Sequence, residues 1–232
     1  LSNVNADCLV YTRRQLVSVF SGKYFGIITA SMNVLLLGMA LWNMIKTTAK
    51  RNEIVLTIFD KLPDADFAQI TIKDMCSAAN ISVGTFYHYF KDKSSFFLQI
   101  YSLLDEYLKE ELAPILTDEN EINNLVQFCI GYARYTSNDF GARILKVAFE
   151  SLPSLSTENR ERPFYSILLE ILRKAQEKKQ ISQTLDINEI TKTLVIILRG
   201  HSFDWAWHEG NYDLVESIEC FITLFVKSLC FS

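Results

Sequence analysis

Gly84, Thr85, Tyr87 and His88 occupy the polar side of a short helix expected over Val83–Tyr89, and together they suit contact better than catalysis. Hydroxyls and an imidazole can bond phosphate oxygens and base edges, and a glycine among them lets backbone approach a groove closely. Lys93 falls in the first turn of the next helix, where the helix dipole opposes its charge. A phosphate at that position would be favoured by the dipole and the ammonium alike. Catalytic parts are missing: there is no nucleophile elbow, no phosphate-cradling glycine loop, no HExxH and no CxxC. His88, His201 and His208 lack an acid partner at useful spacing, apart from Asp204 three residues after His201, which reads as a helix-surface contact. No second His or Cys stands at ligand spacing from His88, so neither a metal nor a cofactor is expected, and the chain does not read as an enzyme.

The elements that must hold this face lie within Thr71–Phe96. Ile72, Met75, Cys76 and Ala79 fall at i, i+3, i+4 and i+7, a single inward stripe of a two-turn helix, with Lys73, Asp74 and Ser77 left wet. Asn80 sits at the chain reversal, where a left-handed backbone is needed and Asn tolerates one. Ser82 is placed to cap the second helix and Asp92 the third. Phe86 and Phe90, four residues apart, point back into a core. Two short helices, a tight turn and a capped third helix are the layout of a helix-turn-helix.

At these residues the chain resembles the TetR family of one-component transcriptional regulators. The family pattern, roughly T-x-x-x-I-A-x-x-A-G-V-S-x-G-x-(F/L)-Y-x-(H/Y)-F-x-x-K-x-x-L, is met by Thr71, Met75, Cys76, Ala79, Asn80, Ile81, Ser82, Gly84, Phe86, Tyr87, Tyr89, Phe90, Lys93 and Phe96. Asn80 stands where Gly is usual, Cys76 where a small Ala is usual, and Phe96 for Leu. The resemblance implies an all-α protein: an N-terminal three-helix helix-turn-helix DNA-binding domain and a C-terminal helical ligand-binding and dimerisation domain. It further implies a cytoplasmic, nucleoid-associated repressor that binds a palindromic double-stranded DNA operator as a homodimer and is released by an unknown small-molecule effector. Carried onto this sequence, Gly84 would admit the backbone to the major groove, Thr85 would meet a base edge or thymine methyl, and Tyr87 and Lys93 would grip phosphates. Lys50, Thr71, Ser82, Val83 and His88 complete the expected contact set. The plainer alternative makes Tyr87, His88 and Tyr89 a packed aromatic cluster, with Tyr89 the one read as structural.

Composition agrees with helices. The chain has 232 residues, 49% hydrophobic, with 8 Gly and 4 Pro, enough for a sizeable core and too little for a turn-rich β architecture. The net charge of −4 is uneven: residues 1–100 hold 10 basic and 7 acidic side chains, residues 101–232 hold 13 and 20, so the contact half is the less acidic one. Lys46, Lys50 and Arg51 precede the first reader helix and could reach phosphate. Five cysteines at scattered spacings suggest reduced thiols, not a disulfide frame.

Three segments are expected: a hydrophobic leader over residues 1–45, the helix-turn-helix domain over 46–92, and the effector and dimerisation domain over 93–232. Phe25–Ile45 is 21 residues without a charge, long enough to span a bilayer, but basic residues flank it on both sides and set no orientation. Export would part a DNA reader from DNA, so a signal peptide is set aside. We expect residues 1–43 to be upstream sequence from an over-long gene start, since Met44 would open a chain of 189 residues, a usual length for the resembling family. Membrane tethering through 25–45, which holds only if that segment is genuinely translated, and an extra buried or amphipathic helix are the alternatives.

Past the leader, Val55, Ile58, Phe59 and Leu62 make a helical stripe that stops at Pro63, and Phe96, Ile100, Leu103, Leu104, Tyr107 and Leu108 trace a long helix to Pro114. Further helices are expected at Ile122–Thr136, Phe140–Phe149 and Pro163–Lys179. Two more carry apolar stripes, one with Ile190, Leu194, Leu198 and Trp205 after an Asp186 cap, the other with Leu214, Ile218, Ile222 and Phe225. Paired across two copies they would build a four-helix dimer interface; alone they would bury into their own domain. Cys129, Tyr132, Tyr135, Phe149, Phe164 and Trp205 offer an aromatic lining for an effector, or else ordinary core. A helical interaction module without DNA binding is the remaining class.

Overall fold

The computed structural model describes residues 25–62, 69–150 and 162–230, without the side chains of residues 25–36, 41–45 and 230. Among them every regular element is helical and there is no strand. The described residues divide into two units, with the boundary between Lys50 and Arg51. Helix α1 runs unbroken through Phe25–Lys61, so the apolar run and the first reader helix are one element. Among the described residues no helix is long and apolar enough to cross a membrane. Most of the side chains in the 25–45 span lie outside them.

The reader core is built from the end of α1 and three short helices: α2 (Ile72–Ala78), α3 (Val83–Tyr89) and α4 (Lys93–Phe97). Each of the three is too short to persist alone and is held by its caps and its buried aromatics. Thr71 and Asp74 form a capping box on α2, Ser82 Oγ accepts from Thr85 N–H on α3, and Asp92 with Ser95 boxes α4. Asn80 takes φ 52°, and the amides of Asn80 and Ile81 bond back to the carbonyls of Ser77 and Cys76, closing α2 in a Schellman turn. Phe86, Phe90 and Phe96 then meet at ring-centroid distances of 5.1 to 6.1 Å, with Phe59 of α1 packed edge-on against Phe96.

A single turn at Leu98 joins α4 to α5 (Gln99–Tyr107), which loosens into a π turn at Leu108–Leu112 and ends in a 3-10 turn carrying Pro114. Then follow α6 (Glu121–Tyr135), α7 (Gly141–Glu150), α8 (Pro163–Glu177), α9 (Ile187–Trp207) and α10 (Leu214–Cys230). Asp186 caps α9, and Asp213 accepts the Val215 and Glu216 amides at the start of α10. The α9–α10 turn needs Gly210: its φ is 71°, and a Cβ there would come within 3.1 Å of the Trp205 ring. Helix α10 packs on α6, α9 on α7 and α8, and α6 on α8.

The stripes expected to dimerise face mostly inward, with Ile190 and Phe225 half-buried. Leu194, Leu198, Trp205, Leu214, Ile218 and Ile222 are all buried within their own domain. Other apolar residues face outward on the same helices: Ile196, Phe203 and Trp207 on α9 are 49, 46 and 54% exposed, and Leu224 on α10 is 63% exposed.

Candidate nucleic-acid interface and effector cavity

The turn at Asn80 and the caps at Thr71, Ser82 and Asp92 bring Thr71, Ser82, Val83, Gly84, Thr85, Tyr87, His88 and Lys93 onto three consecutive short helices. Lys50 lies on α1 in the first unit and is not among this group. On α3, Val83, Gly84, Tyr87 and His88 face solvent, and Tyr87 is 54% exposed although its ring edge meets Phe86 at 5.8 Å. Tyr89 is half-buried against the core, its ring 4.9 Å from the His88 imidazole.

Three of the expected contact hydroxyls already have work. Thr71 Oγ1 donates to Asp74 Oδ2 at 2.6 Å and accepts from the Asp74 amide at 3.2 Å. The Thr71 hydroxyl, and the Thr71 amide that donates to the same Oδ2 at 3.0 Å, hold the Asp74 carboxyl below its ordinary range. Ser82 Oγ accepts from Thr85 N–H at 2.9 Å and shares a 2.8 Å bond with the half-buried Thr85 hydroxyl. Gly84 has no such duty, because a Cβ built on it would meet only Ser82 Oγ, at 3.7 Å. Lys73 on α2 and Lys91 in the α3–α4 turn are also exposed, and sequence reasoning passed over both. Their signal was a basic residue at either end of the motif.

A second concave site lies in the larger helical body. A cavity of about 50 Å³ is bounded by Leu104 of α5, Tyr132 of α6, Leu145 of α7, Phe164 of α8 and Val195 of α9. Of the six residues expected to line it, Tyr132, Phe149 and Phe164 do so. Cys129 is fully buried core, and burial pushes its thiol well above the ordinary range. Tyr135 stacks on Tyr107 with ring centroids 4.0 Å apart, and Trp205 donates through Nε1 to the Tyr212 carbonyl at 2.8 Å, fixing the α9–α10 turn. Sequence reasoning missed Tyr101, Arg162 and Arg199, which also line the cavity. Arg162 Nε donates to Asp105 Oδ2 at 2.9 Å, and its Nη2 to the Tyr101 carbonyl at 3.3 Å. Burial first, opposed by the Arg162 hydrogen bond, leaves the Asp105 carboxyl above its ordinary value. Among the described residues no cluster of three or more His, Cys, Asp or Glu side chains could hold a metal ion.

Residues 64–100 match the family model described as bacterial regulatory proteins, tetR family, a span that takes in α2, α3 and α4. Over these residues the chain is similar to the TetR family. No curated protein matches its sequence. Solved structures share the fold over nearly their full length. A TetR-family transcriptional regulator from Pectobacterium atrosepticum is 17% identical with a TM-score of 0.66, over 81% of this chain and 97% of that one. FadR from Bacillus subtilis, solved with stearoyl-CoA, is 16% identical with a TM-score of 0.61, over 75% and 96%. FadR from Thermus thermophilus, a TetR-family repressor solved with lauroyl-CoA, is 23% identical with a TM-score of 0.53, over 77% and 94%.

Proposed function

We propose that this chain is a TetR-family regulator, a cytoplasmic one-component repressor. It binds palindromic operator DNA as a homodimer through α3, and a small-molecule effector entering the cavity between α5 and α9 releases it. The observation that carries this reading is the face of α3, where an exposed phenol and imidazole flank a glycine that the fold does not need. A helix with a bare backbone patch and hydrogen-bonding rims suits a major groove, with Tyr87, His88 and Thr85 near base edges or phosphates and Lys93, Lys73 and Lys91 on phosphates. The exposed apolar residues of α9 and α10 supply a self-complementary surface for the dimer, and two readers related by a twofold axis fit a palindrome.

Acyl-CoA complexes of two FadR proteins with this fold support a small-molecule effector here. The cavity has room for a few waters, so a larger guest must part its walls. It would therefore bind a rearranged body better than this one, which is the differential affinity that release requires. The wall that gives is tied to the reader. Tyr101 and Leu104 of α5 face the cavity, while Gln99 and Glu106 of the same helix are hydrogen-bonded to Asn52 of α1.

The test is selection of duplexes from a randomised pool on the full chain, followed by fluorescence anisotropy across a salt series. A palindromic consensus whose affinity falls steeply with salt, and falls uniformly across sequences for Lys93→Ala, is expected. Salt-insensitive binding or no enrichment by a folded dimer would overturn the reading.

A further inference from the structure

The cavity lining is chemically lopsided. Among the described residues it holds two guanidinium groups, Arg162 and Arg199, and no carboxylate. Asp105 sits behind the wall and pairs with Arg162 at 2.9 Å, which offsets one of the two charges. Arg199 forms no hydrogen bond or ion pair among the described residues, and it lies close enough to the Tyr101 and Tyr132 phenols to act on both electrostatically. A half-buried cation without a partner is costly, and costlier in the low dielectric of a helical interior. A second polar group in the same lining is poorly answered: Thr136 is 2% exposed, and its Oγ1 lies close enough to the Tyr132 phenol to lower that group's pKa but meets no partner in hydrogen-bond geometry. Native proteins seldom leave such an atom unpaired without a use for it. The remaining walls are aliphatic and aromatic, among them Leu104, Phe140, Leu145 and Phe164.

Resting on the effector-regulated reading above, we propose that the effector is a hydrophobic monocarboxylate whose carboxylate is held by Arg199, with Thr136 donating to it and the alkyl or aryl body lying against α5–α8. One uncompensated positive charge calls for one negative charge. The planar guanidinium fork fits a carboxylate edge-on, and the hydroxyl supplies a further donor in the same lining. Arg162 acts as a positioning residue. Its bonds to Asp105 and the Tyr101 carbonyl tie the start of α8 to α5, so a guest that shifts Arg162 shifts the helix attached to the reader.

The probes are a length series of straight-chain fatty acids, with the methyl ester and primary amine of each and the matching acyl-CoA, titrated by calorimetry into the full chain. Acids are expected to bind about tenfold or more tightly than their esters, and amines not at all. Arg199→Gln should bring the acid down to the ester's affinity without lowering the melting temperature, whereas Arg199→Lys should retain part of the preference. Thr136→Val should leave the unliganded protein as stable or more so and weaken acid binding several-fold, an opposed pair of effects that a purely structural hydroxyl cannot give. Equal affinity for acid and ester, or an acid preference that survives Arg199→Gln, would overturn the proposal, as would acyl-CoA binding more tightly than the free acid. Operator binding read in parallel separates the two claims. Release from DNA by an uncharged compound alone would sink the carboxylate and leave the repressor standing, while acid binding by a chain that ignores all DNA would do the reverse.

Discussion

Gly84 sharpens the case for DNA contact because the fold alone would prefer another residue there. Glycine inside a helix costs about 1 kcal/mol relative to alanine, and a methyl group at this site meets only Ser82 Oγ in ordinary contact. Gly84→Ala should therefore hold or raise the melting temperature, while operator affinity drops and Gly84→Leu abolishes it. Loss of stability would show that the glycine serves packing. Ser82 is the converse, since its hydroxyl caps α3 and Ser82→Ala should cost about 1 kcal/mol whatever its role on DNA. Ser82→Asp keeps the cap and adds a negative charge, so unchanged thermal stability with weaker operator binding is the expected pair of results, checked by melting curves and anisotropy on the same samples. These local features were legible in the sequence because caps and turns depend on neighbours three or four residues apart. Asn80, Ser82 and Asp92 do what their types and spacing foretold. Arg162 and Arg199 were not legible, since nothing local marks residues that α8 and α9 bring to the Tyr101 of α5.

At the scale of elements, α5 faces two ways, with the cavity on one side and the reader on the other. Gln99 Nε2 donates to Asn52 Oδ1 at 2.7 Å, Asn52 Nδ2 donates to Glu106, and Asn52 and Gln99 are both buried. A buried amide relay of this kind has few alternative pairings and so transmits orientation. Asn52→Leu should leave some operator binding but reduce the change in affinity that a bound effector causes, measured as the ratio of operator dissociation constants with and without effector. An unaltered ratio would show that coupling runs elsewhere. The α9–α10 pair carries a pH signature. Burial lowers the His201 pKa below its ordinary 6.5, against the pull of Asp204, and its Nδ1 lies 3.0 Å from Ser217 Oγ, with the Phe221 ring packed beside it. The unfolded chain binds the proton more readily than the folded one, so stability rises with pH toward 6.5 and is lost as pH falls below it. Melting temperature should fall between neutral pH and pH values below 6.5, and His201→Gln should remove that part of the fall. The helices themselves were readable from their periodicity, whereas the π turns at Leu108–Leu112 and Thr136–Phe140 were not, because they answer to packing between distant helices.

For the whole molecule, on the dimer proposed above, the outward face of α9 would decide whether two readers act as one. The apolar stripe seen in the sequence is real but buried, and the exposed one was hidden because α9 is apolar on both sides, which blurs any single direction. Ile196, Phe203 and Trp207 stand at i, i+7 and i+11 on one face, with Phe203 and Trp207 rings stacked 5.5 Å apart, Phe149 edge-on to Phe203, and Lys146 over the Trp207 ring at 5.0 Å. Aromatic residues of this size on a surface mark an interface more often than idle exposure. Phe203→Glu with Trp207→Glu removes apolar area that is already half-exposed in the single chain, so folding should survive while sedimentation shifts from dimer to monomer. The effect on DNA follows from linkage. In a dimer, binding one half-site holds the second reader near the other at a high effective concentration, so monomers should lose about a hundredfold or more on a palindrome. On an isolated half-site, the variant and the native chain should bind alike. Joining two variant chains by a flexible linker should restore part of the palindrome affinity without restoring the interface. Loss on half-sites as well would instead place Phe203 and Trp207 in the stability of the effector domain.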